Sequence, residues 1–152
     1  MAIEAIGSAP VDLPPGAVLA GRYRVDSVLG EGASGRVYAA TQLSLNREVA
    51  IKVLKRPRGG GPIDVARLHQ EALVVSRLSS QSVVLVYDFE VDGATGTAFL
   101  VLERLVGRTL AEELLACRAL PMARAMSFAA QIADGVGCAH AEGLLHRDLK
   151  PA

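Results

Sequence analysis

Gly30-Glu31-Gly32-Ala33-Ser34-Gly35-Arg36-Val37-Tyr38-Ala39 decides how the rest of the chain is read. Three glycines at G-x-G-x-x-G spacing let backbone N–H groups close on a polyphosphate, because no Cβ stands in the way. A dinucleotide-binding fingerprint would open a helix at the third glycine. Here Arg36-Val37-Tyr38-Ala39 continues as strand, and no alternating βαβ pattern accompanies it. A Rossmann-type oxidoreductase is thereby set aside. What remains is a glycine-rich hairpin, either without a ligand or lying flexibly over phosphates.

Outward from the hairpin, Tyr23, Val25 and Val28-Leu29 form a strand that enters Gly30. Glu48-Val49-Ala50-Ile51-Lys52-Val53-Leu54, rich in β-branched residues, forms another. A lysine directed inward from a buried strand wants an anion; the competing reading is a strand lysine whose head reaches solvent. After the break at Arg56-Pro57-Arg58-Gly59-Gly60-Gly61-Pro62, residues 64–78 are helical in period. Leu68, Ala72, Val75 and Leu78 share one face. Glu71 lies on that apolar face and needs a partner there. Lys52 could serve Glu71 and a phosphate together.

Strands are expected at Val83 to Phe89 and Ala98 to Leu102, with Asp92-Gly93 turning between them. Thr109-Leu110-Ala111-Glu112 has the S/T-x-x-E capping-box pattern. Pro121 opens a long helix to about Glu142, stopped by Gly143. Met122, Ala125, Met126, Phe128, Ala129, Ile132, Val136 and Ala139 make that helix apolar nearly all round, so it expects walls on several sides. Ten residues follow it, too few to build them. On burial logic the chain reads as cut short, with a marginal C-terminal part. The last polar loop, His146-Arg147-Asp148-Leu149-Lys150-Pro151, offers a carboxylate that can orient or deprotonate a hydroxyl. It also offers a lysine that can neutralise a transferring phosphoryl group.

Composition bounds the alternatives. The 152 residues amount to one domain or part of a larger one. Sixteen Lys plus Arg balance sixteen Asp plus Glu, which argues against a nucleic-acid binder driven by basic excess. At 51% hydrophobic residues the chain is not disordered, and no apolar run is long enough for a membrane span. Residues 1–10 lack a secretory signal pattern. Cys117 and Cys138 form no CxxC and read as core or near-core thiols in a reducing cytoplasm. His69, His140 and His146 lack metal-ligand spacing, and no metal-binding residue is assigned.

A glycine hairpin, a V-A-I-K strand, a helix Glu and H-R-D, in that order, resemble the protein kinases, specifically the bacterial eukaryotic-like serine/threonine branch. The resemblance runs from about Arg22 to the end. It implies an α+β kinase-like fold: a five-stranded antiparallel N-lobe sheet with one main helix, then the first helices of an incomplete C-lobe. Residues 1–21, with Pro10, Pro14, Pro15 and Gly16 and little periodicity, read as a flexible leader, and the resemblance divides the rest into N-lobe and hinge (22–105) and the beginning of the C-lobe (106–152). It implies an ATP site made by Leu29, Gly30, Glu31, Gly32, Ala33, Ser34, Gly35, Arg36 and Val37. Ala50, Lys52, Leu102, Glu103 and Leu105 complete that site. Leu29, Val37 and Ala50 would lie against adenine, with Leu102 gating the back pocket. Backbone groups of Glu103 and Leu105 would bond the base. Lys52 would hold the α- and β-phosphates and pair with Glu71. Asp148 would be the catalytic base, and Lys150 resembles the lysine of serine/threonine rather than tyrosine kinases.

The resemblance further implies ATP-dependent transfer to protein Ser/Thr hydroxyls in signalling, with ATP and a protein substrate as partners. Nucleic acid is not implied, and the location would be cytoplasmic unless a later segment anchors the protein. The family's catalytic-loop Asn would fall at residue 153, and D-F-G and A-P-E are not among the 152 residues. Both protein ligands for Mg²⁺ are in those missing motifs, so the 152 residues alone are expected to be inactive. Ser79-Ser80-Gln81-Ser82 stands where the family often has a His-Pro-Asn turn. The competing reading is a truncated, non-catalytic relative that binds nucleotide weakly or docks a partner.

Overall fold

The computed structural model describes residues 12–32, 35–55 and 64–151. Its chain falls into two compact units, residues 1–73 with 86–104, and residues 74–85 with 105–152. The first is a six-stranded antiparallel sheet: β1 (Val18–Leu19), β2 (Tyr23–Gly32), β3 (Gly35–Gln42), β4 (Arg47–Leu54), β5 (Val86–Val91) and β6 (Ala98–Glu103). The spatial order is β1-β2-β3-β4-β6-β5. Helix α1 (Val65–Ser76) lies between β4 and β5 in the chain, capped by Asp64, whose carboxylate accepts from the Arg67 amide at 3.0 Å.

Alternation along β4 builds the core. Val49, Ile51 and Val53 are buried on one face, and register places Ile51 between Tyr38 and Val101. Tyr23, Val25 and Phe99 complete this interior, with the Tyr23 and Phe99 rings edge to face at 5.9 Å. The sheet curls far enough for its opposite ends to meet. The Asp92 carboxylate accepts from the Ala20 amide at 2.9 Å, and Arg22 pairs with Glu90. Burial, with Glu90 nearby, pushes the Tyr23 phenol up to about 12.

The sheet has six strands rather than the expected five, because part of the expected leader is folded. Leu13 and Leu19 enter the core; the Gly16 amide bonds Val25 O and the Val25 amide bonds Ala17 O, both at 2.8 Å. A two-residue strand carries no periodicity, so β1 left no signal among the prolines. β5 also starts later than expected, at Val86 rather than Val83.

The second unit holds α2 (Leu110–Cys117) and α3 (Met122–Ala141). The capping box is formed: Thr109 Oγ1 accepts from the Glu112 amide at 3.2 Å, and Glu112 accepts from the Thr109 amide at 2.7 Å. Gly143, at φ +74°, ends α3 as expected. The Leu144 amide returns to Ala139 O and the Gly143 amide to His140 O, a Schellman pattern. Buried Glu113 is held between Arg108 at 2.8 Å and Arg124 at 2.5 Å. Met122, Met126 and Ile132 of α3 are exposed, and Cys117, expected near the core, is exposed as well.

Candidate active site

The face of β4 opposite the core carries Ala50, Lys52 and Leu54. Register sets Val37 and Leu100 on either side of Lys52, and Ala39 and Leu102 on either side of Ala50. Directly opposed residues of antiparallel strands share a face. Val37, Ala50, Lys52 and Leu102 therefore stand together on one surface, an apolar platform with a single ammonium group. Lys52 is half-buried and has no acidic partner among the described residues.

Leu29, Gly30, Glu31 and Gly32 form the outgoing arm of the hairpin, and Gly35, Arg36 and Val37 the returning arm; Gly30 faces Val37 and Gly32 faces Gly35. Ala33 and Ser34 lie outside the described residues. The glycines differ in kind. A Cβ on Gly30 or Gly32 would meet nothing within 4 Å, which leaves room for a ligand beside the backbone. A Cβ on Gly35 would lie 2.0 Å from the Val53 carbonyl oxygen, so Gly35 is required by strand packing. Glu31 and Arg36 turn their side chains away from the platform. Arg36 pairs in register with Val53, a core-facing residue, and bonds Glu31 directly across the hairpin at 2.7 Å. Only their backbone can line a ligand on the Lys52 face.

Glu71 departs from expectation. The stripe Leu68, Ala72 and Val75 is turned inward, with Ala72 buried, but Glu71 sits at its edge and is exposed. Its carboxylate accepts from Arg67 Nε at 3.0 Å, one turn earlier on the same helix. No ion pair joins Lys52 to Glu71 among the described residues. At the end of the first unit, Leu102 and Glu103 close β6. Leu105 belongs to the second unit and is exposed.

In the second unit, Asp148 and Lys150 are exposed and bond each other at 2.9 Å. Lys150, with a smaller contribution from His146, holds the Asp148 carboxyl below its usual range. The Asp148 amide donates to His146 Nδ1 at 3.3 Å, within the same loop. Arg147 has φ +58°, a left-handed backbone conformation uncommon for a residue with a side chain, just before Asp148. The Pro151 carbonyl accepts from the Ala111 amide at 2.9 Å, tying the loop to α2. Ser80, in the turn without His-Pro-Asn, donates to Asp134 Oδ2 of α3 at 2.6 Å.

No helix among the described residues is long and apolar enough to cross a membrane. Sequence reasoning missed Lys55, whose ammonium reaches Glu31 at 3.1 Å and the Gly32 carbonyl at 2.9 Å. The signal was a cation one residue past the strand that flanks the hairpin.

A family profile described as protein kinase domain matches residues 23–152. Serine/threonine-protein kinase pkn3 of Myxococcus xanthus is 35% identical over 136 residues, covering 90% of this chain and 25% of that protein. Serine/threonine-protein kinase pkn2 of the same organism is 39% identical over 139 residues, covering 91% and 16%. The crystal structure of the Mycobacterium tuberculosis PknI kinase domain superposes with a TM-score of 0.74 at 28% identity. That match covers 93% of this chain and 58% of that one. The chain thus spans a quarter or less of the two Myxococcus kinases and somewhat over half of the PknI domain. With the glycine hairpin, the lysine platform and the H-R-D loop in family order, the chain belongs to the protein kinase family, to its bacterial serine/threonine branch, and comprises the N-terminal lobe and the start of the C-terminal lobe.

Proposed function

We propose that this chain contributes the nucleotide-binding and catalytic-loop residues of an ATP-dependent serine/threonine protein kinase. The observation that carries the reading is the platform of Val37, Ala50, Lys52 and Leu102, with an ammonium unpartnered among the described residues beside glycines open to a ligand. In this reading Leu29, Val37 and Ala50 pack on adenine and Leu102 bounds the pocket. Glu103 and Leu105 offer backbone groups to the base. Residues 30–35 offer amides to the phosphates. Lys52 binds the α- and β-phosphates, and Glu71 is the residue that would orient Lys52 once it leaves Arg67.

The family uses ATP with Mg²⁺, which neutralises charge developing on the transferred group. Among the described residues no group of three His, Cys, Asp or Glu side chains could hold a metal ion, so none is assigned to it. Asp148, kept ionised by Lys150, suits a group that accepts a hydrogen bond from a substrate hydroxyl and aims it. Lys150 suits charge neutralisation at the phosphoryl group.

Titration with a fluorescent ATP analogue tests the reading. A charge-assisted bond is worth about 1.5–3 kcal/mol, so Lys52→Met is expected to weaken binding about tenfold or more. Equal affinity in wild type and variant would overturn the assignment. Residues 1–152 alone are expected to phosphorylate no acceptor, because the two family Mg²⁺ ligands are not among them. Transfer by that polypeptide, abolished by Asp148→Ala, would contradict this.

A further inference from the structure

The hairpin carries a cluster of charges that the nucleotide site does not use. Arg36 presents a fork to two carboxylates: Nη2 and Nε bond Glu31 at 2.7 and 3.1 Å, and Nη1 bonds Asp12 at 2.7 Å. Lys55 bonds Glu31 at 3.1 Å and the Gly32 carbonyl at 2.9 Å. Two separate segments thus converge on the hairpin, the chain before β1 through Asp12 and the end of β4 through Lys55, and Arg36 of the returning arm bonds Glu31 of the outgoing one.

Sheet register decides which side they act on. Arg36 is opposite Val53 and shares its face, whereas Val37 is opposite Lys52 and shares the other. Glu31 faces Arg36 across the hairpin. Lys55, one residue past the end of β4, reaches the same Glu31 carboxylate that Arg36 bonds. The brace therefore sits behind the hairpin, turned away from the Lys52 platform. A planar guanidinium suits this place, because its fork can hold two carboxylates at once.

We propose that Glu31, Arg36 and Lys55 are positioning residues, a charged brace on the back of the glycine-rich hairpin that fixes the height of its backbone amides over the nucleotide phosphates. This rests on the nucleotide-binding reading above. The brace binds no phosphate itself. It also makes Asp12 part of the nucleotide site's support.

The test separates support from direct contact by the sign of one effect. Glu31→Gln keeps size and removes the charge that Arg36 and Lys55 share. If those cations touched phosphate directly, releasing them would tighten nucleotide binding. If they act as a brace, Glu31→Gln and Lys55→Gln both weaken it. Exposed ion pairs are individually modest, so a rise of about 2–5-fold in Kd for a fluorescent ATP analogue is expected in each variant. The double variant should add little beyond either, and Lys55→Arg should restore wild-type affinity. Hydrogen exchange on the full chain supplies a readout without nucleotide. Amides of the described hairpin residues should exchange about 2–5-fold faster in Glu31→Gln, while Ile51 and Val101 stay unchanged. Unchanged hairpin exchange, or tighter binding in Glu31→Gln, overturns the proposal. A wild-type chain that binds no nucleotide, yet shows the hairpin exchange effect, would sink the nucleotide reading and leave the brace standing.

Discussion

The sheet unit and the helical unit solve the same problem differently. Around β4, Tyr38, Ile51 and Phe99 are 0% exposed, buried by strands distant in sequence and by Leu13 from the segment before β1. In α3, Met122 and Met126 are 77% and 62% exposed, and Gly135 is the helix's only buried residue. The helices are held instead by local devices: a capping box at Thr109, a Schellman turn at Gly143, and a buried carboxylate, Glu113, clasped by two arginines. A sheet's stability comes from pairs distant in sequence. A short helix can be defined by its own ends while its apolar face stays open.

Substitutions sharpen that contrast. The largest effect belongs to the sheet core: Phe99→Ala is expected to lose about 3–5 kcal/mol in urea denaturation, because its ring leaves a cavity against Tyr23. A loss under about 1 kcal/mol would mean the curled sheet is looser than its burial shows. Next comes Gly35→Ala, about 1–3 kcal/mol or more, since the new methyl meets the Val53 carbonyl, a backbone atom that cannot step aside alone. Gly32→Ala, with nothing within 4 Å, should fall well below it, and equal losses would dissolve the distinction between the two glycines.

Asp92 gives a smaller, pH-linked effect. Hydrogen bonds from Thr95 first, then the Ala20 amide, hold its carboxyl below 3.8 in the folded chain. A depressed folded pKa favours the fold only while the group is ionised. Its contribution is therefore complete above pH 3.8 and disappears as pH falls through the lower folded value. Asp92→Asn should remove that part of the acid transition and cost about 1–3 kcal/mol at neutral pH. An acid transition identical to wild type would show that the Ala20 tie carries no stability. The smallest effect is assigned to α3: Met126→Ser should stay within about 0.5 kcal/mol. In the same spirit, amides of residues 122–140 should exchange faster than those of β3 and β4, and equal protection would erase the contrast.

Much of this was legible in the sequence. Val49-Ala50-Ile51-Lys52-Val53 alternates visibly, so the core face and the Lys52 face followed from one strand. The capping box and Gly143 were readable because caps are local. What was not readable depends on pairing across distance. Gly35 looked like the other glycines until Val53 was placed beside it. Leu13 and Leu19 sat in a proline-rich stretch without period, and only the curl of the sheet makes them core. Glu71 was given to Lys52 because period alone cannot tell a buried stripe from its edge, where Arg67 captures the carboxylate.

The meeting of the sheet's two ends has a consequence for association. An open sheet offers unpaired strand edges to any other chain, and long flat edges invite aggregation. Here one edge is a strand of two residues, and the other, β5, carries Asp88 and Glu90 and a register irregularity between Val86 and Asp88. Arg22 and Ala20 reach across to Glu90 and Asp92 at that second edge. An incoming strand would have to displace ionic and hydrogen-bonded partners before gaining a single ladder bond. The curl that builds the interior therefore also leaves this unit poorly templated for strand addition.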